Sequence, residues 1–197
     1  MRARGILIFL ALAWAATVWA GPEVDTYRDA DPELLDRLRR GFEIAPESAA
    51  ETAALERSLG ERLSGPRSEW PPVFQAYAAA LEGLSGKHSR LPWNKLKRTK
   101  AGLAQLDALV AAHPESIEIR MLRYFFGSQL PDFFETGSQA EADLVVLADL
   151  LERGADAEVS GAYRRHLIRW ILQHGKMAPE PRRKLEAALE KSGGETE

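Results

Sequence analysis

Proline and glycine break this chain into stretches of helical length, and each stretch carries apolar residues three and four apart. Asp31-Pro32-Glu33 supplies a cap, a first-turn proline and a first-turn acid ahead of Leu34, Leu35, Leu38 and Phe42. A second helix starts near Pro46 with Ala50, Ala54, Leu55, Leu59 and Leu63 on one stripe, and Ser64-Gly65-Pro66 stops it. Pro71-Pro72 opens a third with Val73, Phe74, Tyr77, Leu81 and Leu84, ending at Ser85-Gly86. Pro92 opens a long fourth, with Leu96, Leu103, Leu106 and Val110 inward, ending at His113-Pro114. A fifth carries Ile117, Met121, Leu122 and Phe125, and Pro131 to Gly137 is a loop.

Ser138 with Glu141 reads as a capping box for a sixth helix with Leu144, Leu147, Leu150 and Leu151 inward. Asp156 is placed to cap a seventh, with Val159, Tyr163, Leu167, Trp170 and Ile171, closed by Gly175. The eighth begins at Pro179 to Pro181 and holds Leu185 and Leu189. No run alternates with period two for long enough to make a strand. The expected class is all-α, about eight helices packed as antiparallel hairpins, since short loops join short helices. Residues 31–191 form the expected single domain, after an extended lead over 21–30 and before a flexible tail over 192–197.

The first twenty residues are of another kind. Met1-Arg2-Ala3-Arg4-Gly5 is a basic head, Ile6 to Ala20 is apolar, and Val18-Trp19-Ala20 puts small residues at −3 and −1. That pattern is a secretory signal peptide cut after Ala20, giving a periplasmic or secreted protein that begins at Gly21. The rival is a retained anchor, but the apolar run of about 15 residues is shorter than the ~20 a spanning helix needs. No later segment is apolar enough to span. Loss of Arg2 and Arg4, with no acid among the first twenty residues, takes the formal charge from −3 to −5. Mild acidity argues against a general nucleic-acid binder. The absence of cysteine removes disulfides, thiol catalysis, thiolate zinc sites, iron–sulfur clusters and a lipid-modified N-terminal cysteine.

One stretch resembles a known family. Gly102, Leu106, Leu109, Val110, His113 and Pro114 fall where the second helix of a tetratricopeptide repeat places its small residue, its leucines and its terminal proline. The wider string runs from Trp93-Asn94-Lys95-Leu96 through Lys100 to Asp107 and on to Ile117-Glu118-Ile119-Arg120-Met121-Leu122-Arg123 and Leu130-Pro131. It resembles uncharacterised exported bacterial proteins of tetratricopeptide-repeat-like type over residues 74–150. Phe74, Tyr77, Ala78 and Leu81 echo the first helix of such a repeat poorly. No second copy follows at the family's period of about 34 residues. The resemblance implies a degenerate array of hairpins, each burying one face and offering another to a partner. Positions matching Lys100, Asp107, Arg120 and Arg123 belong to the family's motif.

Two groups of residues are candidates for function. Lys87, His88, Arg90, Trp93, Lys95, Lys97, Arg98 and Lys100 make a stretch with no acid. It suits an anionic partner such as a phospholipid head group, an acidic glycan or an acidic peptide, with Trp93 as a stacking surface. The plainer reading is a solvated face with Trp93 plugging a gap between helices. Lys97 and Lys100 are expected on one face, and Lys95 and Arg98 on another. The second group is Asp107, Glu118, Arg120, Arg123 and Asp143. A partly buried Asp107 facing an arginine of the next helix would pin the register of the hairpin; a catalytic carboxylate is the alternative, but no second acid converges with it.

The four histidines have no metal-ligand spacing, since His166 and His174 stand more than two turns apart. No serine elbow, phosphate loop or dinucleotide fingerprint is present. Pro131 to Glu135 sets Phe133 beside Phe134 in a loop, either sealing an edge or offering an anchor to a partner. The expected function is therefore non-enzymatic and without a cofactor: an interaction module for another envelope protein or peptide. The alternative is a binder of an anionic envelope component around Trp93.

Overall fold

The computed structural model describes residues 25–154 and 159–193, and every regular element among them is helical. The leader read over residues 1–20 and the cap read at Asp156 lie outside the described residues. Eight α-helices follow in chain order: α1 Pro32–Phe42, α2 Ala49–Arg62, α3 Pro72–His88, α4 Pro92–Ala112, α5 Ile117–Ser128, α6 Gly137–Arg153, α7 Gly161–His174 and α8 Pro179–Gly193. Single 3-10 turns occur at Ala45–Glu47, Arg67–Glu69 and Asp132–Phe134. None of the described helices is long and apolar enough to cross a membrane.

Local chemistry sets most of the helix starts. Asp31 accepts hydrogen bonds from the backbone N–H groups of Glu33 and Leu34, and Pro32 fills the first helical position. Ser48, Ser116 and Ser160 cap α2, α5 and α7 through their hydroxyl oxygens. A cap of this kind is worth about 1 kcal/mol. The second helix thus starts after Pro46, which sits in the preceding 3-10 turn, and the cap of the seventh is Ser160. The capping box at Ser138 and Glu141 does not form: α6 already begins at Gly137. The Thr136 hydroxyl just before it donates to the Gly127 carbonyl at the end of α5, at 2.9 Å. Helix α8 runs through Ser192 to Gly193, past the expected start of the tail.

Helix α3 is central and buries residues on every side, from Val73 to Gly86. It packs against α2, α4 and α5. Small residues let it approach α4 closely: a Cβ added at Gly102 would lie 2.5 Å from the Ala79 carbonyl oxygen, and one at Gly86 would lie 3.0 Å from that of Lys95. Residues 79–83 thus meet Gly102 while Gly86 meets residues 95–99, so these two helices run in opposite directions. The Ser85-Gly86 pair is therefore not a stop. Gly86 is a packing contact, and α3 continues to His88.

Helix α5 packs on both α4 and α6, and α6 meets α8, which also carries α7. An aromatic line draws α7 toward the core: Phe42 meets Tyr77 edge-on at 5.7 Å and Phe125 at 5.5 Å, and Phe125 meets Trp170 at 4.9 Å. The segment before α1 is not an extended lead where it is described. Residues 26–29 form a turn, Asp29 has φ 61°, and the Thr26 carbonyl accepts from the N–H of Val73. Tyr27 is buried because its hydroxyl has an acceptor inside, the Glu118 carboxylate at 3.0 Å.

Candidate functional site

Helix α4 has three faces, and its close contact with α3 decides which is which. Thr99, Gly102, Leu106 and Val110 are buried. Leu96 was expected among them, but it precedes Gly102 by six residues and so lies about 120° round the helix from it; it is 42% exposed. Trp93, Leu96, Lys97, Lys100, Leu103, Ala104 and Asp107 recur at helical spacing on a second face, with Leu103 at its border with the Thr99–Val110 stripe and partly packed against the core. The third face carries Asn94 and Arg98 toward the end of α3, where Arg98 donates to the Ser85 hydroxyl.

A groove of about 550 Å³ runs along the second face. Leu96, Leu103 and Ala104 form one wall, and Phe133, Phe134 and Glu135 the other, with Lys100 and Asp107 on the helix side. The two phenylalanine rings lie 4.5 Å apart. Phe134 is half-buried, but Phe133 is 72% exposed, so it does not seal the edge. The connection leaves this wall through Glu135, whose φ of 56° is left-handed.

The basic stretch divides between these surfaces. Lys87 is turned onto the 3-10 turn at Ala45–Glu47, where it donates to the Pro46 carbonyl at 2.6 Å and pairs with Glu47 at 2.9 Å. That hydrogen bond holds the Glu47 carboxyl below its usual range. His88 bonds the Ala45 carbonyl at 2.9 Å. Together with Glu56, Ser89, Asn94 and Arg98 it lines a smaller polar cleft of about 240 Å³. Burial raises the Glu56 carboxyl there, against the pull of Arg98. Arg90, Lys95, Lys97, Arg98 and Lys100 are exposed, and among the described residues none forms an ion pair. Trp93 is 66% exposed and plugs nothing. Lys100 is on the groove and Arg98 on the cleft, as their spacing predicts.

The second group of residues separates into two clusters. Asp143 on α6 is 1% exposed and takes Arg120 at 2.8 Å and Arg123 at 2.6 Å, both from α5. Arg123 also reaches Asp107 at 3.1 Å, and Gln139 donates to the same oxygen. The expected pairing between α4 and α5 is present, but Asp107 keeps 45% of its side chain exposed. The buried anchor is Asp143. Burial opposes the charge on Arg123, yet the hydrogen bond and charge of Asp143 outweigh it and leave Arg123 held more firmly protonated than usual.

Glu118 belongs elsewhere. It is 0% exposed and accepts from Tyr27, from Tyr77 at 2.6 Å, and from Arg39 Nη2 at 2.6 Å. The Arg39 guanidinium also lies 4.2 Å from the centre of the Tyr163 ring. Burial would weaken the Arg39 proton, but Glu118 more than restores it. Burial first, and then the Glu118 charge, push Tyr77 and Tyr163 well above the usual phenol range. This hub joins the N-terminal turn, α1, α3, α5 and α7. A glutamate between Ile117 and Ile119 was the sequence signal for a buried acid; its partners were not visible.

Among the described residues no group of three His, Cys, Asp or Glu side chains is arranged to hold a metal ion. His174 bonds the Trp170 carbonyl at 3.0 Å and stacks on that ring. His166 bonds the Glu43 carboxyl group, just past the end of α1, at 2.6 Å. Compared with known proteins, the chain matches no family model, no curated sequence and no solved structure.

Proposed function

We propose that this chain is an exported, non-enzymatic interaction module of tetratricopeptide-like character, and that it takes a segment of another protein along the outer face of α4. One observation carries the reading: Phe133, 72% exposed, stands across the groove from the 42% exposed Leu96. Folding leaves single apolar residues on any surface, but facing apolar walls around a groove gain by being covered. The walls suit leucine-like or aromatic side chains. Lys97 and Lys100 beside them favour a segment that carries carboxylates. The partly exposed Asp107 and its motif partners Arg120 and Arg123 serve to hold α4, α5 and α6 in register, which keeps the walls apart.

Cross-linking tests it. A photoactivatable residue at Ala104, exposed within the groove, is expected to yield a discrete protein adduct in cells that make the protein. The adduct should vanish when Phe133→Ser and Leu96→Ser are combined. The same probe at Glu190, on α8, should not give it. No adduct at 104, or an identical one at 190, would count against the groove.

A further inference from the structure

The end of the α3–α4 hairpin differs from the groove in shape and in charge. From Arg90 to Arg98 every residue is exposed except Asn94, which is half-buried. Helix α4 meets α3 here through Gly86, which has no side chain to cover it, and α3 itself ends at His88. The first turns of α4 therefore stand out from the body with side chains on several sides. Leu91, at 43%, and Trp93, at 66%, project there as large apolar groups. Arg90, Lys95 and Lys97 surround them without an ion pair among the described residues. No acid lies in the first turn and no side chain caps it, so these cations also add to the positive end of the helix dipole.

We infer that this tip binds the surface of an anionic lipid bilayer, with Trp93 and Leu91 entering the headgroup layer and Arg90, Lys95 and Lys97 resting on the phosphates. The inference goes beyond the proposed groove and shares only Lys97 with it. A polypeptide partner suits a concave site with a defined face, as at Leu96 and Phe133. The tip projects exposed side chains on several sides, and its cations are spread around the helix. A flat surface of many negative charges meets all of them at once. Tryptophan sits readily at a membrane interface, where its ring is half in contact with acyl chains. Near-surface cations are each worth about fivefold in binding to an anionic leaflet.

Vesicle sedimentation tests this with the chain starting at Gly21, which contains every described residue and lacks the apolar leader that would itself enter lipid. Vesicles of phosphatidylglycerol and phosphatidylcholine should bind it, and those of phosphatidylcholine alone should not. Raising salt should weaken binding. Lys95→Ala with Lys97→Ala should cost about thirtyfold, and Trp93→Ala about tenfold. The helical signal and melting should be unchanged, because all three side chains are exposed. Phe133→Ser should leave vesicle binding intact, which separates this site from the groove. The inference is overturned if anionic vesicles are not bound, if neutral vesicles are bound equally well, or if the lysine and tryptophan variants bind as the parent does. Loss of binding on Phe133→Ser alone would move the site to the groove and overturn it too.

Discussion

Tyr77 on α3 donates its hydroxyl hydrogen to Glu118 on α5 across 2.6 Å, and neither side chain reaches solvent. Arg39 supplies the countercharge from α1, and Tyr27 closes the shell from the N-terminal turn. A buried carboxylate is tolerable only while such partners hold it. Glu118→Ala is therefore expected to cost about 3–5 kcal/mol, because it strands the mostly buried Arg39 guanidinium. Urea denaturation of the two proteins would measure it. A midpoint within error of the parent would mean that Arg39 finds water instead.

The same cluster predicts an alkaline limit. Tyr77 and Tyr163 have folded-state values raised above the ordinary phenol near 10. Below pH about 10 both are neutral in the folded and unfolded chains, and their contribution is complete. Above it, tyrosines of the unfolded chain ionise while the folded ones resist, so stability falls as pH climbs from about 10 toward the folded values. Tyr77→Phe should flatten that decline, though it costs about 1 kcal/mol at neutral pH for the lost hydrogen bond. Melting followed against pH for both chains would show it. Parallel curves would deny Tyr77 its share.

Two aspartates bound to one arginine should behave unequally. Asp143→Ala leaves Arg120 and Arg123 without their buried acceptor and is expected to cost about 3–5 kcal/mol. Asp107→Ala removes a half-exposed partner from an arginine that keeps Asp143, so less than about 1 kcal/mol is expected. Denaturation midpoints of the two variants settle the order. Equal losses would contradict the difference in burial.

That contrast marks the reach of the sequence. Helix starts were legible because Asp31-Pro32 and the prolines that open α3 and α4 act on their own neighbours. The all-α class followed from apolar spacing for the same local reason. Pairings across the fold were not: Glu118 meets Tyr27 91 residues away and Arg39 79 residues away, and nothing near Ile117 announces either. Leu96 looked inward because it shares a loose stripe with Leu103 and Leu106. What rotated it outward was the contact of Gly102 with α3, a fact about two helices at once. Ser138 cannot cap because α6 already begins at Gly137, and the Thr136 before it turns its hydroxyl back to α5. For the candidate surface, the sequence supplied the charges and Trp93. It could not supply the opposing wall at Phe133, which depends on how the turn before α6 lies against α4.

Two glycines give the last contrast. Gly102 lies where α4 meets α3, and a methyl group there would sit 2.5 Å from the Ala79 carbonyl oxygen, a backbone atom that cannot swing aside. Gly60 also lies inside a helix, α2, but nothing stands within 4 Å of its missing Cβ. Alanine is the better helix former by about 0.5–1 kcal/mol at an unobstructed position. Gly60→Ala should therefore raise the midpoint of thermal unfolding by roughly that free energy. Gly102→Ala gains the same propensity but must push α3 and α4 apart, at about 1–3 kcal/mol for an overpacked core. It should lower the midpoint. The separation also moves the α4 wall of the groove, so the cross-link from Ala104 should weaken in the Gly102 variant and persist in the Gly60 variant. If both glycines gain stability on substitution, the close approach of α3 and α4 is not the contact that fixes the faces of α4.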